Sequence, residues 1–302
     1  IQERTGIQER RHIKDGDGNT TAVMGVKAAK IALERAKMTA QDIDMIVFAT
    51  LSPDYYFPGC GVQVQEMLEM RTVPALDVRN QCSGFVYALS TADQFIKTGM
   101  YKNILVIGSE NHSGGLDMTT RGRSVSVIFG DGAGAAVLTR EEDNGKGILS
   151  THLHSEGKHA LELSLKGPST MEWVPELIEK DPQEDIPYYP YMNGQFVFKN
   201  AVVRFAEVIQ EGLAQNKLTA ADIDMLIPHQ ANLRISQFVQ KQFKLNDDIV
   251  YNNIQKYGNT TAASIPIALT EAWEEGKIKE GDTVVLAAFG SGFTWASAII
   301  KW

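Results

Sequence analysis

Cysteine is scarce: only Cys60 and Cys82 occur in 302 residues. That is too few to staple a chain of this length, so its fold must rest on a packed core. No run approaches the roughly 18 consecutive apolar residues that span a bilayer, and no charged-then-apolar signal segment opens the chain. Positive charge is in deficit as well. Lys and Arg number 29 against 37 Asp and Glu, a net charge of −8, so a broad basic surface for nucleic-acid phosphates is missing. These absences exclude a disulfide scaffold, a membrane span and general nucleic-acid binding, and they point to a soluble, cytoplasmic protein. What remains is 43% hydrophobic residues, enough for a large core and, by length, about two domain-sized units.

The sequence repeats itself. TAQDIDMIVFAT (39–50) returns as TAADIDMLIPHQ (219–230), an offset of 180. Upstream, VMGVKAAKIALERAKM (23–38) stands opposite VRFAEVIQEGLAQNKL (203–218), both with apolar residues at helical spacing. Downstream, FVYALSTADQFIKTGMYKNILVIG (85–108) stands opposite IPIALTEAWEEGKIKEGDTVVLAA (265–288). A gapless helix–strand–helix–strand match is an internal duplication.

Each copy reads as alternating helices and strands. IDMIVFA, VPALDV and NILVIGS in the first, and IDMLIP, DIVYNN and TVVLAAF in the second, are the near-continuous apolar runs of largely parallel sheets covered on both faces. Val125–Arg140 and SGFTWASAIIKW (291–302) read as strand–turn–strand units completing each sheet. The strand GILSTHLHS (147–155) leads the second copy without a counterpart in the first, whose sequence starts at Ile1. The first half is therefore expected to lack its leading strand. The division falls between residues 1–145 and 146–302, with an extended loop over 166–194.

In open α/β sheets reactive groups gather at the carboxyl ends of strands. VPALDV runs into RNQCSG, placing Cys82 before a helix. IDMLIP runs into His229, and DIVYNN leads through IQKYG to Asn259 ahead of another helix. A helix N-terminus stabilises a thiolate and offers N–H groups to an oxyanion. His and Asn can both donate hydrogen bonds to a carbonyl becoming an enolate. Taken singly, each has a blander use: a buried inert thiol, a core histidine, a turn asparagine. Cys60, also ahead of a helix, rivals Cys82, which the small neighbours Ser83 and Gly84 favour. FGDGAGAA (129–136) lacks the helix and acidic residue of a dinucleotide loop and reads as a structural turn. His152 and His154 alternate along a strand with no third metal ligand near them.

RNQCSGFVYALSTADQF, FGDGAGAAVL, PHQANLRI, YGNTTAASIPIAL and FGSGFTWASA together resemble a β-ketoacyl-acyl-carrier-protein synthase III of the thiolase-like superfamily, over nearly the whole chain. The resemblance implies a five-layer αβαβα fold of two similar halves and a Cys82-His229-Asn259 triad. It implies that Cys82 takes an acyl group from acyl-CoA. His229 and Asn259 then hold the malonyl thioester carried on acyl carrier protein while carbon dioxide leaves, and the carbanion attacks the acyl-cysteine. Backbone N–H groups of Cys82 and Ser291 would form the oxyanion hole, although glycine is usual where Ser291 stands. Arg4 and Arg121 match positions that hold CoA, Gly194, Asn232 and Phe289 match the pantetheine path, and Phe57 matches an aromatic crossing a homodimer interface to the partner's acyl pocket. Lys199, Arg234 and Lys241 match a basic patch for the acidic carrier protein, which an acidic enzyme can still present locally. No metal or redox cofactor is implied; CoA enters as a substrate carrier. Trp173, Tyr188, Tyr189 and Tyr191 in the long 166–194 segment predict a starter other than plain acetyl.

Two other readings stand beside this one: a specialised condensing enzyme or acyltransferase of secondary metabolism, and a non-catalytic acyl-CoA or carrier-protein binder. Asn259 argues against a hydroxymethylglutaryl-CoA synthase, which uses Glu. Cys60, outside the relevant motifs, argues against a thiolase, which uses a second reactive cysteine.

Overall fold

The computed structural model describes residues 1–142, 144–171 and 188–302. Two four-stranded sheets form the frame. The first comprises β1 (Met45–Ala49), β2 (Ala75–Val78), β3 (Asn103–Glu110) and β4 (Gly132–Thr139), in the order β2-β1-β3-β4. The second comprises β5 (Gly147–Ser155), β8 (Met225–Pro228), β9 (Thr283–Gly290) and β10 (Thr294–Lys301), in the order β5-β10-β9-β8. Between them in sequence, β6 (Leu163–Ser164) and β7 (Tyr191–Met192) form a small ribbon.

The alternation of side chains along each strand explains the layers. Met45, Val47, Ala49, Ile104 and Val106 of the first sheet share one core with Met225, Ile227, Val284, Leu286 and Ala288 of the second. Their intervening neighbours Ile46, Phe48, Leu105 and Ile107 face a separate outer core; Leu226, Val285, Ala287 and Phe289 face another. Because both faces of each sheet are buried, the strands read as unbroken apolar runs. The inner core is filled by α3 (Gly84–Lys97) and α6 (Ser264–Glu274). The outer cores are covered by α1 (Thr21–Ala36) and α2 (Cys60–Met67) on the first sheet, and by α4 (Gly194–Gln215) and α5 (Leu233–Phe243) on the second. Helix, sheet, helix, sheet, helix is the expected αβαβα stack.

The duplication reaches down to single hydrogen bonds. In both copies of the repeated phrase a threonine caps a short helical turn. The Thr39 amide and hydroxyl each donate to Asp42 at 2.7 Å, and Thr219 does the same to Asp222 at 2.7 Å. Asp44 then accepts from the Asn103 amide at 2.9 Å, and Asp224 from the Thr283 amide at 2.7 Å. Each box thus starts a short turn, and the aspartate two residues on ties the next strand to its neighbour in the sheet.

Two expected strands are not found. DIVYNN contributes a single bridge, Val250 to Leu226, because the next amides leave the ladder: Gln230 Oε1 accepts from Asn253 N at 3.0 Å and Ile254 N at 3.1 Å. Val125–Arg140 holds one strand instead of two. Its first part is the helical turn Arg123–Ser126, and Gly130 and Asp131 are drawn aside by bonds to Asn259 and Arg11. β4 forms the edge of the first sheet, whereas its counterpart β10 is flanked by β5.

Candidate active site

The elbow carrying Cys82 is the short turn Gln81–Ser83 leading into α3. Its twin, Thr261–Ala263, leads into α6. Gln81 and Thr261 occupy the left-handed region at φ 43° and 50°, a conformation that costs a non-glycine residue on the order of 1–3 kcal/mol and a β-branched one most. That strain recurs at the repeat offset and faces both helix N-termini toward the same central space. Cys82 is 6% exposed. The end of β9 lies so close that a Cβ on Gly290 would sit 2.5 Å from Cys82 Cβ and 3.0 Å from Sγ, so only glycine fits there. The Ser291 amide, the Cys82 amide and the Thr261 hydroxyl lie near the sulfur and favour its ionised form, while the Ser291 hydroxyl is turned away to the Leu163 carbonyl.

The charge state of Cys82 departs from the sequence expectation. Burial, aided by the nearby Glu110 carboxylate, pushes the thiol up to about 12, against the pull of those donors. In the resting site the helix N-terminus therefore faces a neutral thiol; desolvation outweighs the dipole. Cys60 is also raised to about 12 by burial, but it is packed in the outer core against Val64 and Phe48, away from the elbow.

His229 stands at the tip of β8, its amide bonded to the Ala287 carbonyl at 2.8 Å. Its Nδ1 is 2.6 Å from Ser264 Oγ. Ser264 Oγ also accepts from the Gln230 amide at 3.3 Å; when its own hydrogen goes to Nδ1, the ring proton resides on Nε2. That Nε2 is buried without a partner. Burial pulls the imidazole down to about 3, with His112 contributing, so it is neutral. Asn259 is 5% exposed and its Oδ1 accepts from the Thr261 amide at 2.8 Å. Cys82, His229 and Asn259 thus share one stretch, residues 261–264, as their common support.

Two buried groups at this centre escaped the sequence reading. Glu110, fully buried at the end of β3, receives hydrogen bonds from Thr50, Leu51, Ser52 and the Ala262 amide. Burial raises it to about 7. His112, 7% exposed, stacks on Phe129 with ring centroids 4.9 Å apart and reaches Thr261. Glu110 ends β3 and His112 follows two residues later, so the strand-end rule that found Cys82 applies to them also.

Comparison with known proteins identifies the family. A family profile described as 3-oxoacyl-[acyl-carrier-protein] synthase III matches residues 76–157, and its C-terminal counterpart matches residues 213–302. The β-ketoacyl-[acyl-carrier-protein] synthase III of Rhodospirillum centenum is 47% identical over all of this chain and 90% of its own. That of Aliivibrio fischeri is 44% identical with the same coverage. The crystal structure of 3-oxoacyl-[acyl-carrier-protein] synthase III from Aquifex aeolicus superposes with a TM-score of 0.90 at 41% identity, covering all of this chain and 90% of that one. The chain belongs to the β-ketoacyl-acyl-carrier-protein synthase III family.

As a synthase III, it is a condensing acyltransferase with the thiolase-like fold. The remaining expected residues of this synthase fall in several places. Phe289 is buried on β9 next to Gly290 and packs on Phe293 at 4.9 Å. Asn232 caps α5, accepting from the Arg234 amide at 2.9 Å. Arg234 reaches the Glu3 carbonyl at 2.8 Å, which brings it to the helical turn bearing Arg4. Arg121 instead pairs with Asp117 at 2.5 Å and lies over Tyr189 at 5.5 Å. There it lines a cavity of about 340 Å³ with Tyr191 and Met192, two residues before Gly194 at the start of α4. Lys199 and Lys241 are exposed on α4 and α5. Phe57 is 81% exposed beside Tyr55 and Tyr56. Trp173 lies outside the described residues; Tyr188, Tyr189 and Tyr191 are partly exposed. His152 and His154 both face Glu211, at 3.5 and 2.6 Å. Among the described residues no group of three or more His, Cys, Asp or Glu side chains is arranged to hold a metal, and no helix is long and apolar enough to cross a membrane.

Proposed function

We propose that this enzyme starts fatty-acid synthesis by joining an acyl-CoA starter to malonyl-acyl-carrier protein, releasing carbon dioxide and giving a 3-ketoacyl product. The observation that carries the reading is the unpartnered Nε2 of neutral His229, which bears the ring proton when Ser264 donates to Nδ1, buried on the same support as Cys82 and Asn259. Such a donor is costly to bury unless a ligand completes it. Cys82 attacks the acyl thioester, and the Cys82 and Ser291 amides receive the oxyanion. The malonyl thioester carbonyl then accepts from His229 Nε2 and from the Asn259 amide, whose oxygen is already engaged by Thr261. As carbon dioxide departs, the electrons delocalise onto that carbonyl, and the resulting carbanion attacks the acyl-cysteine.

The wider assignment is of the same kind. Arg4, Arg121, Gly194, Asn232 and Phe289 guide CoA and pantetheine, Lys199, Arg234 and Lys241 meet the carrier protein, and Phe57 enters the partner's pocket in a cytoplasmic homodimer. The solvent-exposed aromatic group at Tyr55–Phe57 supports the last point. Radiolabelled acetyl-CoA, followed by malonyl carrier protein, tests the chemistry. Label should attach to wild type and not to Cys82→Ala, and 3-ketoacyl product should follow. Unlabelled wild type would refute the nucleophile; labelled protein without product would favour simple acyl transfer.

A further inference from the structure

A carboxamide has two ends of nearly the same shape and opposite polarity, so Asn259 serves as a donor only if something fixes which end is which. Its Oδ1 accepts from the Thr261 amide at 2.8 Å, which leaves the NH₂ group free for a ligand. That amide sits in an unfavourable place. Thr261 is β-branched and lies in the left-handed region at φ 50°, a conformation that persists only where the surroundings over-determine it. The orientation of Asn259 therefore depends on whatever holds the turn that follows it.

The holds come from the first half of the chain. A Cβ on Gly108 would lie 2.4 Å from the Ala262 carbonyl oxygen, so the bare backbone of β3 presses directly on the turn. Glu110 accepts from the Ala262 amide at 3.3 Å. The Asn259 backbone is pinned on both sides, its amide to the Ile128 carbonyl at 2.9 Å and its carbonyl to the Gly130 amide at 3.0 Å. His112 joins these two groups of contacts. Its ring stacks on Phe129, its Nδ1 is 2.9 Å from the Gly130 carbonyl, and its Nε2 is 2.8 Å from Thr261 Oγ1. Burial pulls the imidazole down to about 4, so it is neutral. A carbonyl can only accept, so Nδ1 donates to Gly130 and Nε2 accepts the Thr261 hydroxyl. The ring is itself fixed, because the His112 amide donates to Asp131 at 2.6 Å.

We propose that His112 is a positioning residue for the condensation step: by bridging Gly130 and Thr261 it holds the Asn259 carboxamide with its N–H toward the malonyl thioester carbonyl. The inference rests on the role of Asn259 given above. Without the ring, the Thr261 hydroxyl loses its acceptor and the strained turn loses one of its holds. Relaxation of Thr261 out of the left-handed region swings its amide away from Asn259 Oδ1. The carboxamide is then free to turn, and an oxygen in place of the N–H would repel the charge that develops as carbon dioxide leaves. Acylation of Cys82 relies on the Cys82 and Ser291 amides instead, so the two steps should respond differently.

The test separates the two steps. Single-turnover labelling of Cys82 from acetyl-CoA, and condensation of protein already acylated with malonyl carrier protein, are measured for wild type, His112→Leu, His112→Gln, Asn259→Ala and the double variant His112→Leu with Asn259→Ala. Complete loss of one preorganised donor costs up to about 10²–10³ in rate, so a donor that is present but loosely held should cost about tenfold. His112→Leu should therefore lower kcat for condensation about tenfold, with KM for malonyl carrier protein and the labelling rate within about twofold of wild type. His112→Gln, whose side-chain oxygen can accept from Thr261, should recover most of the loss. On the Asn259→Ala background, His112→Leu should add less than about twofold, because the group it positions is gone. The role is overturned if His112→Leu condenses at the wild-type rate, if labelling and condensation fall equally, if His112→Gln fares no better than His112→Leu, or if the two losses multiply in the double variant. Asn259→Ala that condenses at the wild-type rate overturns the reading of Asn259, and the positioning role with it.

Discussion

Ser264 is the hydroxyl on which the proposed second half of the reaction depends, and Ser264→Ala removes it with little change of shape. The side chain is 2% exposed, and its oxygen serves two groups, His229 Nδ1 at 2.6 Å and the Gln230 amide at 3.3 Å. Alanine leaves both buried without a partner. At about 1–3 kcal/mol for each orphaned group, the variant should lose roughly 2–4 kcal/mol of stability, less if a water enters the gap. The functional effect follows from the tautomer. Nothing then holds the ring proton on Nε2, and the imidazole loses its orientation toward the thioester carbonyl. Loss of one donor of this kind costs up to about 10²–10³ in rate, so condensation should fall about ten- to hundredfold. Acylation of Cys82, which does not use Nε2–H, should change little. The assay is single-turnover acylation from labelled acetyl-CoA beside decarboxylation of malonyl carrier protein, with urea unfolding for stability. Decarboxylation within twofold of wild type would refute the assignment of the His229 proton, and an equal loss in both steps would show general damage.

Further expectations concern neighbouring features. Gly290→Ala places a methyl against Cys82 Cβ and Sγ, so labelling should fall at least tenfold while the far-ultraviolet spectrum is retained; full labelling would show that the end of β9 can retreat. Glu110 has a folded value raised to about 7 from an ordinary 4.5. Between those limits the folded protein holds a proton that the unfolded chain has released, so stability is greatest below about 4.5 and declines as pH rises through about 7. The drop is at most roughly 3 kcal/mol. In denaturant titrations the stability of wild type relative to Glu110→Gln should therefore fall with rising pH, and a relative stability that stays constant or rises would oppose the assignment. Phe57→Ser should weaken self-association in analytical ultracentrifugation and reduce acylation with it; an unchanged sedimentation profile would remove Phe57 from the interface.

The layers were legible because duplication and periodicity are properties of sequence. The offset of 180 located β1 with β8, β3 with β9, and α3 with α6, and the unbroken apolar runs required sheets buried on both faces. Cys82 and His229 followed from strand ends, whereas Asn259 was reached through a strand, DIVYNN, that forms only a single bridge. What escaped detection depended on contacts between distant segments. Nothing local in DIVYNN says that Gln230, more than 20 positions earlier, will capture the amides of Asn253 and Ile254. The thiolate expected at Cys82 failed for a similar reason. A helix N-terminus can be read from sequence, but the burial that opposes it comes from β9, Glu110 and the second half. His112 belongs to the same class, since its polarity is set by Gly130 and Thr261, one of them 149 positions away.

The paired threonine boxes give this protein an internal control. Thr39–Asp42 and Thr219–Asp222 have the same residues at the cap and third positions, the same bonds at 2.7 Å, and closing Asp42 and Asp222 amide bonds to the threonine carbonyls at 3.1 Å. Chemistry is thereby held constant while the surrounding half changes. The ratio of hydrogen-exchange rates at the Asp42 and Asp222 amides then compares the local opening of the two halves within one sample, with errors of pH, temperature and concentration common to both. Ligand added to one tube would report, through that ratio alone, which half it tightens.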